Sequence, residues 1–301
     1  MQKELNESHR FQILYTIALV VFCFAIGEVT AFLLTGLIYD INFFQIFEIL
    51  KESQVNKTFL LTLSLFSTLF RFMIVPGLYL LLTNRSSLRF LWASNKIKSK
   101  PALLTALIIL SLTPCTSILI DLNNRLELPV WLSEVETYFK DGEQRVRHLT
   151  SQLLTFEEPK DLAMAILVMA IIPGIAEEVF FRGVVQLQFQ NVLKNPHYAI
   201  LLSGALFSFS HFQFYGFIPR MALGMLLGYI FYWSKNIWYP IIAHITNNLI
   251  GVLGVYFLGP QIMDPDSGSF TTILLIIPSI ALSALIISNL NRNWTLTKIT
   301  N

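Results

Sequence analysis

The sequence predicts an all-α membrane protein, a polytopic bundle of about eight transmembrane helices. Of its 301 residues, 54% are hydrophobic and only 13% are charged, and the mean hydropathy is +0.60. A chain with so little polar surface cannot cover a water-soluble globule of this length. It also contains eight apolar segments that are long enough, or nearly so, to cross about 30 Å of hydrocarbon as helices. These segments are residues 12–38, 58–83, 101–120, 162–181, 198–214, 217–234, 237–258 and 270–290.

The first three segments form an N-terminal transmembrane region at residues 1–120. Residues 12–38 are predicted to be a retained helix, because their apolar stretch is about twice as long as the core of a secretory signal. Glu28 in the first segment and Arg71 in the second lie at similar depths in their spans. Because a partner is the usual compensation for a charge at membrane depth, we expect an ion pair that joins these two helices.

The most polar part of the chain is residues 121–160, which hold 13 of the 40 charged residues. Aromatic and acidic side chains are interleaved in this segment, a pattern typical of an amphipathic helix that lies on a membrane surface. The residues concerned are Trp131, Tyr138 and Phe139 among Glu134, Glu136 and Glu143.

Four apolar segments follow in close succession within residues 161–258, and residues 259–301 supply the last span and a tail. Gly224 and Gly228 form a small-xxx-small face, which predicts close packing against another helix. No internal repeat, Gly/Ser linker or low-complexity tract divides the sequence, so we expect one membrane domain.

Charge limits the possible partners and indicates the orientation. The formal net charge is +2, which excludes a strongly basic nucleic-acid binder and points to membrane lipid as the surroundings. The two cysteines, Cys23 and Cys115, cannot build a disulfide framework or a four-sulfur zinc cluster. Lys and Arg are concentrated near the termini and in the second, fourth and sixth loops, including Arg85 and Arg89, which predicts cytoplasmic termini. The Phe-rich composition suggests a bacterial plasma membrane.

Three ionisable residues lie close together in the fourth segment. Glu178 and Arg182 are four apart and meet on one helix face, whereas Glu177 points about 100° away. One acid can therefore be held by Arg182 as an ionised structural carboxylate. The other is left to face the bundle interior, a division that suits a general base and its organiser.

Two histidines also belong to apolar segments. His211 ends the fifth segment, and His244 opens the seventh, with Asn248 one helical turn later on the same face. A lone membrane histidine usually satisfies a hydrogen bond between helices, and the whole set could be a polar network that only holds helices together. Two histidines that accompany a pair of glutamates favour a catalytic site instead.

The order of these residues resembles the CPBP family, which contains the type II CAAX prenyl endopeptidases and the bacterial Abi proteins linked to bacteriocin processing and self-immunity. The resemblance covers roughly residues 125–258, and each motif lies in a separate apolar segment. The three motifs are Glu177-Glu178-x-x-x-Arg182, Phe207-x-x-x-His211 and His244-x-x-x-Asn248.

The resemblance implies an intramembrane endopeptidase acting on a peptide or a lipid-modified protein, with residues 161–258 as its catalytic core. It implies that Glu177 activates a water shared with His211. His244 and Asn248 would bind the oxyanion of the tetrahedral intermediate, and Glu178 with Arg182 would orient the site. Physical reasoning agrees, since hydrolysis needs a base and donors aimed at the developing negative charge. The depth of these residues predicts a site in the inner or middle membrane that opens toward the cytoplasm.

The residues leave the role of a metal open. Glu177, His211 and His244 are chemically adequate zinc ligands, and zinc would lower the pKa of a bound water to about 7. The His-Glu-x-x-His helix of common zinc proteases is absent from the sequence. We favour a water activated by Glu177 and His211 without metal, because the use of Asn248 as a donor leaves few ligands.

Two functions of other classes compete with the protease. One is a catalytically silent immunity or scaffold protein that binds a peptide in the same cavity. The other is a transporter with an intramembrane proton relay, which the lack of inverted repeats disfavours. A silent relative would be free to lose catalytic residues, and all of them are present. The substrate, including whether it is prenylated, is not specified by the sequence.

Overall fold

The computed structural model describes residues 2–82, 96–263 and 275–299, with side chains for 11–81, 96–262 and 275–290. Every long element within these ranges is a helix. The α-helices are α1 Gln2–Tyr39, α2 Phe43–Ile49, α3 Lys57–Leu69, α4 Val75–Leu82, α5 Ser99–Asn124, α6 Ser133–Leu153, α7 Pro159–Ala165, α8 Ile172–Phe180, α9 Leu187–Leu193, α10 Pro196–Phe209, α11 Phe217–Ser234, α12 Trp238–Leu258 and α13 Ile276–Ile299.

These helices confirm the predicted all-α membrane bundle. Six helical stretches are long and apolar enough to cross a membrane, namely Phe11–Tyr39, Lys57–Leu81, Ser99–Asn124, Pro159–Leu193, Phe214–Ser234 and Trp238–Leu258. Two shorter apolar helices, Pro196–Phe209 and Ile276–Leu290, correspond to the fifth and eighth predicted segments. Residues 83 and 270–274 of the predicted segments, and Arg85 and Arg89 of the orientation prediction, lie outside the described residues.

Three π turns interrupt the second and fourth spans, at Phe70–Ile74, Ile166–Ile171 and Phe181–Gln186. A π turn accommodates an extra residue within a helix and is often found at functional sites. The first two turns contain the carbonyls four residues before Pro76 and Pro173, with which a proline ring would clash in a regular helix. The proline residues therefore explain two of the turns.

Small residues allow the helices of the second half to approach closely. A Cβ atom on Gly224 would lie 3.0 Å from the Cα atom of Gly204, so α10 and α11 meet backbone to backbone. A Cβ atom on Gly228 would lie 2.9 Å from Oε1 of Gln186. The predicted small-xxx-small face is thus a packing surface, and it brings α11 against α10 and the fourth span.

The polar segment contains the expected amphipathic helix, α6. One face of α6 packs on the short 3₁₀ turn Phe214–Gly216, where the rings of Phe139 and Phe214 stack with centroids 5.3 Å apart. Trp131 and Tyr138 are 80% and 76% exposed. The location of this helix at a membrane surface stays a prediction.

Candidate active site

The fully buried ion pair between Glu178 and Arg182 lies at the junction of α8 with the π turn Phe181–Gln186. Nε of Arg182 is 2.7 Å from Oε2 of Glu178, and Nη2 is 3.3 Å from Oε1. Both side chains have no exposed surface. This two-pronged contact is the strongest geometry available to an arginine and a carboxylate. The pairing predicted from the four-residue spacing is confirmed.

Glu178 also contacts the second histidine, on α12. Nδ1 of His244 lies 3.0 Å from Oε1 of Glu178 and donates a hydrogen bond to it. The carboxylate is therefore held by two donors from two helices, and this contact fixes the orientation of the imidazole. The Nε2 atom of His244 is the ring position left for other chemistry.

The buried ring of Phe207 connects the ion pair with both histidines. Its centroid lies 5.2 Å from the ring centroid of His211 and 5.6 Å from that of His244. The guanidinium carbon of Arg182 lies 5.6 Å from the same ring centroid. The ring of Phe207 thus lies against the Arg182 guanidinium and both imidazole rings and sets the distances among these three groups.

His211 lies two residues beyond the end of α10, not within the helix as the sequence suggested. Its Nδ1 is 2.9 Å from the carbonyl oxygen of Phe207, to which it donates. This hydrogen bond fixes the tautomer in which Nε2 carries a lone pair. The Nε2 atom can consequently accept a hydrogen bond from water.

Glu177 and Asn248 complete the set. Glu177 is buried, and its Oε2 atom has no hydrogen-bond partner within the described part of the chain. Asn248 accepts a hydrogen bond of 3.2 Å from the side-chain amide of Asn247 through Oδ1, which leaves its own amide group as a donor. Direct contacts thus join Glu178, Arg182, His244, Phe207 and His211. Glu177 precedes Glu178 and Asn248 follows His244 by one helical turn, and neither makes a hydrogen bond or ring contact with this group within the described part of the chain.

The loop that carries His211 is held by residues that the sequence did not single out. The buried side chain of Asn123, near the end of α5, donates to the carbonyl of Phe214 at 3.1 Å and accepts from the amide of Ile218 at 2.8 Å. Gln213 is fixed by Arg220, whose Nη1 lies 2.9 Å from Oε1, and by Glu143 of α6 at 3.2 Å. The sequence feature that points to this role is that Asn123 is a polar residue close to the end of the third apolar segment.

The zinc alternative would need Glu177, His211 and His244 to converge on one ion. In the ranges that the structure describes, no three side chains of His, Cys, Asp or Glu lie close enough together to hold a metal ion. Nδ1 of His211 and Nδ1 of His244 are bound to the Phe207 carbonyl and to Glu178, which leaves Nε2 of each ring available, as in histidines that bind a metal. We therefore derive no chemical step through a metal.

Comparison with known families agrees with the resemblance found in the sequence. Residues 159–250 match the family model described as Rce1-like, type II CAAX prenyl endopeptidase Rce1-like. The match includes all three motifs and begins at α7, so the amphipathic helix α6 lies outside it. No curated protein and no solved structure matches the chain.

Proposed function

We propose that this protein is an intramembrane endopeptidase of the CAAX-protease type, in which Glu177 and His211 activate a water molecule. The proposal rests on one observation: of two adjacent buried glutamates, one has hydrogen-bond partners for its carboxylate and the other has an oxygen without one. Glu178 is saturated by Arg182 and His244, whereas Oε2 of Glu177 is buried without a partner among the described residues. An unpartnered buried carboxylate is costly unless a bound water or substrate satisfies it.

The proposed reaction begins with a water held between the Glu177 carboxylate and Nε2 of His211. Glu177 takes one proton as the oxygen attacks the carbonyl carbon of the peptide bond. The tetrahedral intermediate then collapses, and the proton on Glu177 passes to the leaving amine. This sequence yields a new carboxyl group and a new amine and returns Glu177 to its ionised form.

The oxyanion of the intermediate is bound by the amide group of Asn248 and by the Nε2–H of His244. His244 donates through Nδ1 to Glu178 at 3.0 Å, so donation from Nε2 as well requires a protonated imidazole. The two carboxylates, the Arg182 guanidinium and this imidazolium then carry no net charge together. Such a balance matters in a buried site, where an uncompensated charge is strongly unfavourable.

The substrate in this proposal is a peptide or a lipid-modified protein whose cleaved end reaches the site within the bilayer. In this proposal both termini lie in the cytoplasm of a bacterial cell, and the site opens to that side. Labelling of a cysteine introduced at Asn248 tests this opening. Reaction with a membrane-impermeant reagent from the cytoplasmic side is expected, and reaction from the external side alone would contradict it.

The decisive experiment measures peptide cleavage by the purified protein in lipid nanodiscs, with peptides that carry or lack a C-terminal prenylcysteine. Glu177→Gln and His211→Ala are each expected to lower kcat by about 10²-fold or more, as is usual for a lost catalytic group. His197→Ala is the matched control, because His197 is exposed at the opposite end of α10 and contacts Tyr229 at 2.9 Å.

A chelator is expected to leave cleavage unchanged. Full activity in both variants would contradict the proposal. Peptide binding without cleavage by the wild-type protein would contradict it as well and would favour the immunity or scaffold function.

A further inference from the structure

A row of polar side chains continues along the fourth span beyond the candidate active site. Arg182, Gln186 and Gln190 follow Glu178 at intervals of four residues. We call Glu177, Arg182, Gln186 and Gln190 the polar row. Each member has one buried polar atom without a hydrogen-bond partner among the described residues, namely Oε2 of Glu177, Nη1 of Arg182, Oε1 of Gln186 and Nε2 of Gln190.

The helix geometry keeps the last three members close to one line. In a regular α-helix, a four-residue step drifts by about 40° around the axis. Arg182 and Gln186 are joined through the wider π turn Phe181–Gln186, in which each residue turns through a smaller angle. The smaller angle offsets this drift. At about 1.5 Å per residue, the row extends roughly 20 Å from Glu177 to Gln190. It ends near Lys194, which is exposed.

Gln186 is the best-defined member, since its side chain is 0% exposed. Its Nε2 donates to the carbonyl of Gly228 at 3.1 Å, which fixes the amide plane and leaves Oε1 unpartnered. A Cβ atom on Gly228 would lie 2.9 Å from that oxygen. The glycine therefore lets α11 approach this acceptor closely, and Cγ2 of Ile200 would lie 3.0 Å from the same Cβ position.

Four such atoms on one helix are hard to reconcile with a dry interior. A buried polar atom without a partner costs about 1–3 kcal/mol. Native proteins satisfy such atoms with ordered water, and a buried water typically makes about three hydrogen bonds. Because the unpartnered atoms are both donors and acceptors, water, which offers both, is the ligand that satisfies all of them.

We propose that the polar row binds a file of water molecules that leads from the helix end near Lys194 to Glu177. The use of this water in hydrolysis rests on the proposed function, but its binding does not. Each peptide bond cleaved consumes one water molecule, and an apolar substrate that fills the site from the lipid or cytoplasmic side would block direct entry. A separate polar path along the fourth span would replace the consumed water.

Water-edited solid-state NMR of the protein in bilayers, with ¹⁵N-labelled glutamine and isoleucine, tests the binding. The side-chain amides of Gln186 and Gln190 are expected to receive magnetisation from water nearly as fast as that of Gln144, which is exposed on α6. The buried backbone amide of Ile200 supplies the slow reference. Transfer to Gln186 as slow as to Ile200 would overturn the proposal, whatever the protein's activity.

Kinetics test the use of this water. Gln186→Leu and Gln190→Leu are each expected to lower kcat about tenfold with an unchanged KM, a loss similar to one water-mediated hydrogen bond. Gln188→Leu, on the same helix but off the row, is expected to keep the wild-type kcat. An unchanged kcat in both row variants, with water transfer at the row abolished, would overturn the supply role. If Glu177→Gln kept full activity while water reached Gln186, the proposed function would fail and the water file would stand.

Discussion

The described part of the molecule contains two glutamate–arginine pairs at membrane depth, which differ in burial, in the number of contacts and in the helices they join. Glu28 and Arg71 join α1 to the second span through a single contact of 3.2 Å, with side chains 40% and 24% exposed. Glu178 and Arg182 belong to one helix, make two contacts and have no exposure. Both arginines lie in π turns. Burial and the kind of third partner therefore distinguish the pairs, because Glu178 binds His244 whereas Glu28 accepts a hydrogen bond from Ser67 at 3.2 Å.

The aromatic neighbours show what each pair does. The Arg71 guanidinium lies 5.9 Å and 5.4 Å from the rings of Phe24 and Phe72, which belong to the packing between α1 and the second span. The Arg182 guanidinium lies over Phe207, whose ring also contacts both histidines. The first pair thus lies in the packing between α1 and the second span, and the second lies beside both histidines of the candidate site.

The largest effect is expected from Arg182→Gln compared with Arg71→Gln. Loss of Arg182 leaves a fully buried carboxylate with one partner and should lower the free energy of unfolding by about 3–5 kcal/mol. Loss of Arg71 should cost less, about 2–3 kcal/mol, because Glu28 at membrane depth keeps a hydrogen bond from the Ser67 hydroxyl and is 40% exposed. Thermal unfolding in detergent measures both. Equal losses would show that burial does not distinguish the two pairs.

The next effect tests the close approach that forms the peripheral pair. A Cβ atom on Gly27 would lie 2.7 Å from the backbone of Arg71, so Gly27→Ala should separate α1 from the π turn and cost about 1–3 kcal/mol. Gly77→Ala is the control, because among the described residues outside its own helix turn no atom lies within 4 Å of its added Cβ. A Gly27→Ala protein as stable as the Gly77→Ala protein would refute this role for the glycine.

A smaller effect separates the placement of His211 from the central pair. Asn123→Ala leaves the carbonyl of Phe214 and the amide of Ile218 without their partner, a loss of about 1–2 kcal/mol. The loop then moves while Glu178 and Arg182 stay paired. The fall in kcat should therefore be larger than the loss in the free energy of unfolding alone would produce. Measurement of kcat well below the unfolding temperature checks this. An unchanged kcat would mean that the loop contacts do not position His211.

The smallest effect concerns a glutamate–lysine pair on α6. Nζ of Lys140 lies 2.7 Å from Oε1 of Glu136, and this hydrogen bond lowers the pKa of the Glu136 carboxyl below its ordinary value. Its contribution is therefore complete above the usual glutamate pKa and is lost as the pH falls through the lowered one. Glu136→Gln should leave the unfolding temperature unchanged at neutral pH within error. A loss comparable with that of Arg182→Gln would break the ranking of the pairs by burial.

Short-range patterns in the sequence predicted much of this structure. Apolar length gave the spans, and the four-residue spacing of Glu178 and Arg182 gave their pairing, because both depend on neighbours in the chain. The contact of His244 with Glu178 joins residues 66 apart, and no local spacing specifies it. The same holds for Asn123, which reaches a loop that follows 91 residues later.

The sequence also did not predict where α10 ends or where the π turns lie. His211 follows α10 because the helix ends at Phe209 and the chain turns through Ser210. The π turns were not predicted, although Pro76 and Pro173 were visible signals for two of them. The catalytic roles of Glu177, His211, His244 and Asn248 stay predictions that the variants above test.

The π turn at Phe181–Gln186 makes the two halves of the fourth span face different neighbours. Before it, α8 packs against α12, and after it, α9 packs against α10 and α1. The π turn contains one residue more than a regular α-helical turn, and this extra residue rotates α9 relative to α8 about the helix axis. Deletion of a single residue there would swing α9 by about 100° and turn Phe189 out of the core. The number of residues in this short stretch is therefore a constraint of its own, separate from the contacts of Arg182 and Gln186 within it.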